Sequence, residues 1–328
     1  MEAHTPRLVL ALSASVAATC CLVVSNKDLL GHPALHEVGP FMLLFLHRIV
    51  TWFFYRMTYC CKPYPRKQFS WFLLIGASAL ANGSILASFL TLKIASVAFQ
   101  QLSRLMVIPI GAFFDFMLYG KRRGLVECFS LLLLSYGVYM ASSGDATATP
   151  LAILYTGVGV VLSIGSSSVT GHIMKTTSVP TADLVMFALP YEIVFAGIVL
   201  VITRAYTSAQ NDPERPLKHQ EEWSGLPLLL RMFVNGSLAI AVVYLTVWSQ
   251  GKCSNMMYGV LGQAKTIGSI ALSAAIFHTE LSIRAWIGMS VVVAVSVGLA
   301  SGDFKQNDEQ KSRSKWPFFF LVFLLLLL

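Results

Sequence analysis

Residues 69–92 read FSWFLLIGASALANGSILASFLTL, 24 consecutive positions without an Asp, Glu, Lys or Arg. A helix of ~20 apolar residues crosses the ~30 Å hydrocarbon core of a bilayer. Every backbone N–H and C=O is then satisfied inside the segment, which lipid requires. The stretch therefore reads as a membrane-spanning helix, with Asn82-Gly83-Ser84 as its polar mark.

Nine further apolar stretches flank it, at roughly 8–27, 39–59, 96–119, 124–142, 151–174, 182–204, 226–249, 256–278 and 282–302. The whole chain agrees with them. Of its 328 residues 55% are hydrophobic and 12% charged, with a mean hydropathy of +0.67; ordinary globular domains carry about 25% charged residues. So few charges could not cover the surface of a water-soluble enzyme. Disorder is excluded by the opposite composition, and a β-barrel would show short alternating segments. The expected fold is an all-α polytopic membrane protein of ten transmembrane helices.

The first stretch starts at Leu8, and Asn26-Lys27-Asp28 is no small-residue cleavage site, so it reads as an uncleaved helix. No Arg- and Ser-rich presequence precedes it, which argues against a plastid or mitochondrial address. The six cysteines form neither a disulfide framework nor a metal spacing. Cys60 and Cys61, beside Lys62, Arg66 and Lys67, are open either to palmitoylation or to a role as plain small apolar residues.

Lys and Arg fall unevenly on alternate loops. Fourteen of the 24 lie on the side of Arg7, Arg56, Lys121–Arg123, Lys175 and Lys305–Lys315. Seven lie on the other side, among them Lys27, Lys93, Arg204, Arg231 and Arg284. By the positive-inside rule both termini are expected in the cytosol. The +8 net charge is then mainly a matter of orientation, and no nucleic-acid partner is implied. The longest connection, about 205–225, reads as a solvated lumenal loop, and Trp316–Leu328 is an apolar run too short for an ordinary span.

The sequence repeats. Asn82-Gly83-Ser84 in the third stretch returns as Asn235-Gly236-Ser237 in the eighth, and Ser143-Gly144-Asp145 after the fifth returns as Ser301-Gly302-Asp303 after the tenth. Five spans per repeat, an odd number, give the halves opposite topology, the inverted-repeat plan that places a substrate site near the midplane. The expected units are 1–148, 149–303 and a cytosolic tail 304–328 with its terminal apolar run.

Cations inside spans are costly and face a cavity or a partner. Arg104 stands in the fourth stretch and Lys265 in the ninth, its repeat counterpart. The two are expected to converge on one central point and bind an anionic, phosphorylated substrate, Arg bidentately and Lys as a point charge. Of the acids that could instead neutralise them, only Glu192 reads as free to enter the cavity. Arg48, beside His47, is open to pairing or to substrate contact. Lys27 and Lys175 read as helix-end residues that snorkel, with Lys175 also placed to guide an anion inward. Tyr258 and other aromatic residues are open to stacking on a base or sugar, or to packing. No HExxH, GxSxG, P-loop or metal cluster occurs, so neither an enzyme nor a cofactor is expected.

These residues resemble the triose-phosphate translocator and nucleotide-sugar transporter branch of the drug/metabolite transporter superfamily. Ser25-Asn26-Lys27 is similar to its first-helix Asn-Lys signature, and Asn82-Gly83-Ser84-Ile85-Leu86 to its third-helix Asn-x-Ser-Leu. Ala95-Ser96-Val97-Ala98-Phe99-Gln100, with Arg104 and Pro109, is similar to its Val-Ser-Phe-x-Gln, Lys and Pro pattern. Gly262 through Lys265-Thr266 looks like its ninth-helix Gly-x-x-Lys-Thr, the form typical of nucleotide-sugar-transporter-like members.

The resemblance implies an antiporter that exchanges a nucleotide sugar, such as a UDP-sugar, for a nucleoside monophosphate across a Golgi or ER membrane. Arg104, Lys265, Thr266, Gln101, Asn82, Lys175 and Tyr258 are the expected substrate-binding residues. The expected partners are these two solutes and membrane lipid, with a homodimer left open. A sugar-phosphate or organic-phosphate antiporter is the alternative within transport, and a non-transporting scaffold or receptor the alternative outside it.

Overall fold

The computed structural model describes residues 5–32, 35, 39–58, 70–120, 124–143, 148–177, 181–210, 226–250, 255–278 and 282–302. They form helices α1 (Thr5–Gly31), α2 (Gly39–Thr58), α3 (Trp71–Ile94), α4 (Val97–Arg104), α5 (Val107–Tyr119) and α6 (Leu125–Ser143). These are followed by α7 (Pro150–Thr177), α8 (Thr181–Gln210), α9 (Leu226–Gln250), α10 (Asn255–Phe277) and α11 (Ile283–Gly302). Among the described residues six segments are long and apolar enough to cross a membrane: 71–94, 97–114, 125–142, 150–170, 183–206 and 228–245. Ala264–Phe277 and Ile283–Val295 are shorter apolar helices. The chain is an all-helical, multi-pass membrane protein. Cys60, Cys61, the loop 211–225 and the tail 303–328 lie outside the described residues.

One element departs from the expected count. The fourth apolar stretch is split into α4 and α5 by a turn at Leu105–Met106. The cause is Pro109, which has no N–H to give to the carbonyl of Leu105. The chain tightens instead: Leu105, Met106 and Ile108 donate to the carbonyls of Leu102, Ser103 and Leu105, each three residues back, at 3.0–3.1 Å. Arg104 is the last residue before this break.

Lipid tails are as apolar as leucine, so these helices associate by close packing and interhelical hydrogen bonds rather than by burial from water. The main packed pairs are α3 with α7, α6 with α11, α1 with α9, α1 with α10 and α2 with α8. Leu29 and Leu30 of α1, Leu43 and Leu44 of α2, Phe89 of α3 and Leu228 of α9 form the largest buried apolar cluster. Polar bonds stitch α3 to α7 directly. Ser84 Oγ donates to the Gly159 carbonyl at 2.9 Å, and Ser166 Oγ to the Ala77 carbonyl at 3.1 Å.

Helices α6 and α11 approach closely at Gly288. A Cβ added at Gly288 would lie 2.6 Å from both the Ala141 nitrogen and the Gly137 oxygen, backbone atoms that cannot swing aside. Gly288→Leu is therefore expected to force the two helices apart and lower the unfolding free energy by ~1–3 kcal/mol, as overpacking does. Gly76→Ala, where a Cβ meets nothing within 4 Å, is the control and stays near wild type. Thermal unfolding of both variants in detergent checks this; equal melting temperatures would refute the close-contact account.

Several of the pairs follow a pattern. Matching α1, α2, α3, α4–α5 and α6 with α7, α8, α9, α10 and α11 turns α3–α7 into α9–α1, α3–α8 into α9–α2, and α4–α6 into α10–α11. All of these are observed contacts. The pairs α2–α8, α4–α10 and α6–α11 map onto themselves, and are observed too.

Candidate functional site

Two asparagines mark the sequence repeat, and both are fully buried at 0% exposure. Each holds one of two adjacent residues of α2. Asn82 Oδ1 accepts from Arg48 Nε at 2.9 Å, while its Nδ2 donates to the Glu192 carbonyl at 2.9 Å. Asn235 Oδ1 bonds His47 Nε2 at 2.5 Å, while its Nδ2 donates to Ser25 Oγ and Asn26 Oδ1, both at 2.9 Å. In a medium with no water, such mutual satisfaction is what keeps polar side chains tolerable.

Arg48 is paired. Its guanidinium lies 2.9 Å from a Glu192 carboxylate oxygen, with both side chains largely buried. This corrects the reading of Glu192 as the acid free to enter a cavity: α2 and α8 pack face to face and bring Arg48 to it. Lys27 departs from expectation as well. Rather than snorkelling, its Nζ donates to the carbonyls of Leu92 and Ala95 at 2.6 and 2.7 Å. Those carbonyls end α3, where the unsatisfied groups and the negative end of the helix dipole favour a cation. Ser96 then caps α4, its Oγ accepting from the Phe99 N–H at 2.9 Å. The α3–α4 junction is thus anchored about two helical turns before Arg104.

Arg104 has a different environment. It lines a cleft between α3, α4, α5 and α7 with Ser84, Ser88, Thr91, Gln100, Thr156 and Ser163, and no acid is in the lining. The Arg104 side chain is exposed there. Among the described residues it has neither a hydrogen bond nor an ion pair. An exposed guanidinium, walled by hydroxyls and one amide at the end of a broken helix, has the donor chemistry that an oxyanion needs.

The other expected residues fall around this cleft in different ways. Gln101 is buried, and its Nε2 donates to Gln100 Oε1 at 2.8 Å, so it positions the glutamine that lines the cleft. Lys265 is on α10, whose near neighbour is α1; its carbonyl accepts from Cys20 Sγ at 3.7 Å. Thr266 is buried, and its hydroxyl donates to the Gly262 carbonyl at 3.2 Å. Lys265 is not in the lining of the Arg104 cleft. Ala98 and Leu102 of α4 share an apolar cluster with Ile270 of α10 and Met289 of α11. Lys175 and Tyr258 lie on α7 and α10, and their side chains are outside the described residues.

Ser88, Thr91, Thr156 and Ser163 were not singled out from the sequence. Their signal is helical spacing. Ser84, Ser88 and Thr91 stand at i, i+4 and i+7, and Thr156, Gly159 and Ser163 at i, i+3 and i+7. Each set is one polar stripe on an otherwise apolar helix.

No protein-family model matches the chain. Three relatives come from Arabidopsis thaliana. UDP-xylose transporter 3 is 25% identical over 285 residues, 86% of this chain and 77% of the relative. UDP-xylose transporter 1 is 25% identical over 294 residues, 86% of this chain and 80% of the relative. UDP-rhamnose/UDP-galactose transporter 2 is 24% identical over 259 residues, 77% of this chain and 69% of the relative. Over most of its length, then, the homologues of this chain are nucleotide-sugar transporters of the drug/metabolite transporter superfamily.

Proposed function

We propose that the chain is an antiporter that exchanges a nucleotide sugar, most simply a UDP-sugar, for a nucleoside monophosphate across a Golgi or ER membrane, with both termini cytosolic. The observation that carries this reading is Arg104: an exposed guanidinium in an acid-free, hydroxyl-lined cleft beside a helix break. A phosphate supplies the counter-charge that no described residue provides. The names of the relatives supply the nucleotide sugar.

In this reading the ten spans form two inverted five-helix repeats, 1–148 and 149–303. Support comes from the set of helix pairs that map onto one another when the halves are exchanged. The two exchanged flanks are in unlike states. The α4–α5 flank against α7 holds the Arg104 cleft. The α10 flank against α1 is shut, where a Cβ on Gly268 would come within 2.7 Å of Cys20 Sγ. Exchange of these two states between the halves opens the opposite side of the membrane. Lys265 and Thr266, on the shut flank, then meet the substrate as that flank opens, and Gln101 holds Gln100 toward it. Asn82 serves the site indirectly, by fixing Arg48 and Glu192 behind α3.

Exchange rather than uniport follows from charge. An empty carrier would have to reorient with Arg104 uncompensated in low dielectric, which is unfavourable; a bound monophosphate removes the penalty on the return. The test is exchange in proteoliposomes preloaded with UMP. Wild-type protein is expected to take up labelled UDP-sugar only into UMP-loaded vesicles, and Lys265→Ala to lose most of this uptake. Uptake equal in empty vesicles, or unchanged in Lys265→Ala, would refute the mechanism. Transport of a sugar phosphate that excess UMP does not inhibit would establish the sugar-phosphate carrier instead.

A further inference from the structure

We propose that the hydroxyl row on α3 and α7 is the sugar subsite of the carrier, and that it reads the sugar by accepting hydrogen bonds from it. This rests on the nucleotide-sugar reading and adds to it the orientation of the substrate. The reasoning is a proton count. A serine or threonine hydroxyl has one proton to give and two lone pairs to offer. Ser84 spends its proton on the Gly159 carbonyl at 2.9 Å, Ser88 on the Ser84 carbonyl at 3.0 Å and Thr91 on the Ala87 carbonyl at 3.0 Å. Thr156 Oγ1 lies 3.3 Å from Thr91 Oγ1. Because the Thr91 proton is already placed, Thr156 is the donor in that pair. All four line the cleft and, in these bonds, keep only lone pairs for a ligand; Ser163 of α7, also in the lining, has no hydrogen bond among the described residues and keeps its proton as well.

The α4 side of the cleft is the reverse. Arg104 has donors and no acceptor. Gln100 is 94% buried (6% exposed), and its Oε1 already accepts from Gln101. The Gln100 Nε2 donor has no partner among the described residues and borders the cleft. The α4 wall therefore only gives protons, and the α3–α7 wall mainly takes them, Ser163 being able to do either. Phosphate oxygens are acceptors and suit the α4 wall best. Hydroxyl groups that donate suit the α3–α7 wall. A ligand that carries both, a phosphate joined to a polyhydroxyl ring, satisfies the cleft along its whole width, whereas a bare phosphate satisfies half of it.

The experiment compares two probes, UDP-xylose and UMP, by competition binding to purified full-length protein. The double variant Ser88→Ala/Thr156→Val removes two acceptors with little change of shape, and the Ser88 bond it loses lies within α3 itself. UDP-xylose affinity is expected to fall about tenfold, since a neutral hydrogen bond is worth severalfold in affinity. UMP affinity is expected to stay within about twofold. Thr156→Ser, which restores a hydroxyl, is expected to bind UDP-xylose like wild type, and this separates loss of an acceptor from general damage. An equal fall for both probes, or no fall for UDP-xylose, overturns the subsite; because the wild type still binds the probes, neither outcome touches the transport reading. If the wild type binds neither probe, the transport reading itself fails and takes the subsite with it.

Discussion

Replacing Arg104 with alanine is expected to reduce nucleotide-sugar exchange about 100-fold or more while leaving the protein as stable as the wild type. The two halves of that result have one cause. Arg104 lines the cleft without an acid beside it, so nothing within the described protein loses a partner when it is removed. A substrate phosphate loses two charge-assisted hydrogen bonds, together worth ~3 kcal/mol or more, and every 1.4 kcal/mol is about tenfold in affinity. Arg104→Lys keeps the charge and loses the bidentate fork, so it is expected to recover part of the activity. Exchange in proteoliposomes, read beside thermal unfolding in detergent, separates the outcomes. A variant that unfolds early would mean that Arg104 is a structural cation. A stable variant with full exchange would mean that the phosphate binds elsewhere.

Glu192→Ala is expected to have the opposite signature: a large loss of stability, ~3–5 kcal/mol, whatever its effect on transport. The carboxylate is 2.9 Å from the Arg48 guanidinium, and the side chains of the pair are only 10% and 15% exposed. Removing one member of a buried pair strands the other charge, which is the costly step. Arg48 would retain only Asn82 Oδ1 at 2.9 Å, too little to neutralise it. Replacing both, as Arg48→Met/Glu192→Met, is expected to restore most of the stability, because two apolar side chains need no partner there. Thermal unfolding of the two single variants and the double one forms a complete cycle. Additive losses would show that the two side chains act independently and would refute the clasp between α2 and α8.

Both predictions turn on which cation is paired, and the sequence alone could not say. It marked Arg48, Arg104 and Lys265 as the cations inside spans. It pointed to Glu192 as the acid free to enter the cavity and left Arg48 open to pairing, without joining the two. The gap has a physical origin. Helical spacing tells which residues share a face of one helix, but not how far that helix is rotated about its axis against the next. Here the rotation of α2 turns Arg48 toward α8 and His47 toward α9. The same limit hid the cleft. The Ser84, Ser88 and Thr91 stripe is plain in the sequence, yet its partner stripe on α7 becomes a facing wall only when the two helices pack.

The two Asn-Gly-Ser motifs show the complementary case. Asn82 and Asn235 stood out in the sequence by these short motifs, and both are buried and bond neighbouring residues of α2. Lys27 was recognised as a helix-end residue, but its target was not. The carbonyls of Leu92 and Ala95 become available only because α3 ends beside α1.

By itself the amino-acid sequence determined that this is a helical membrane protein, where its apolar stretches lie, and that a few cations within them need an explanation. Those are one-dimensional properties: span length, charge scarcity and local periodicity are written in consecutive residues. Pro109 was also in view, and a missing N–H three residues past the Leu105–Met106 turn is a local reason for the break. Only the tertiary structure decided that Arg48 is neutralised and that Arg104 stands open in a cleft of hydroxyls most of whose protons are already spent. Pairing, exposure and the direction of a hydroxyl proton depend on which helices touch and at what rotation, and that is set by the packing of segments far apart in the chain.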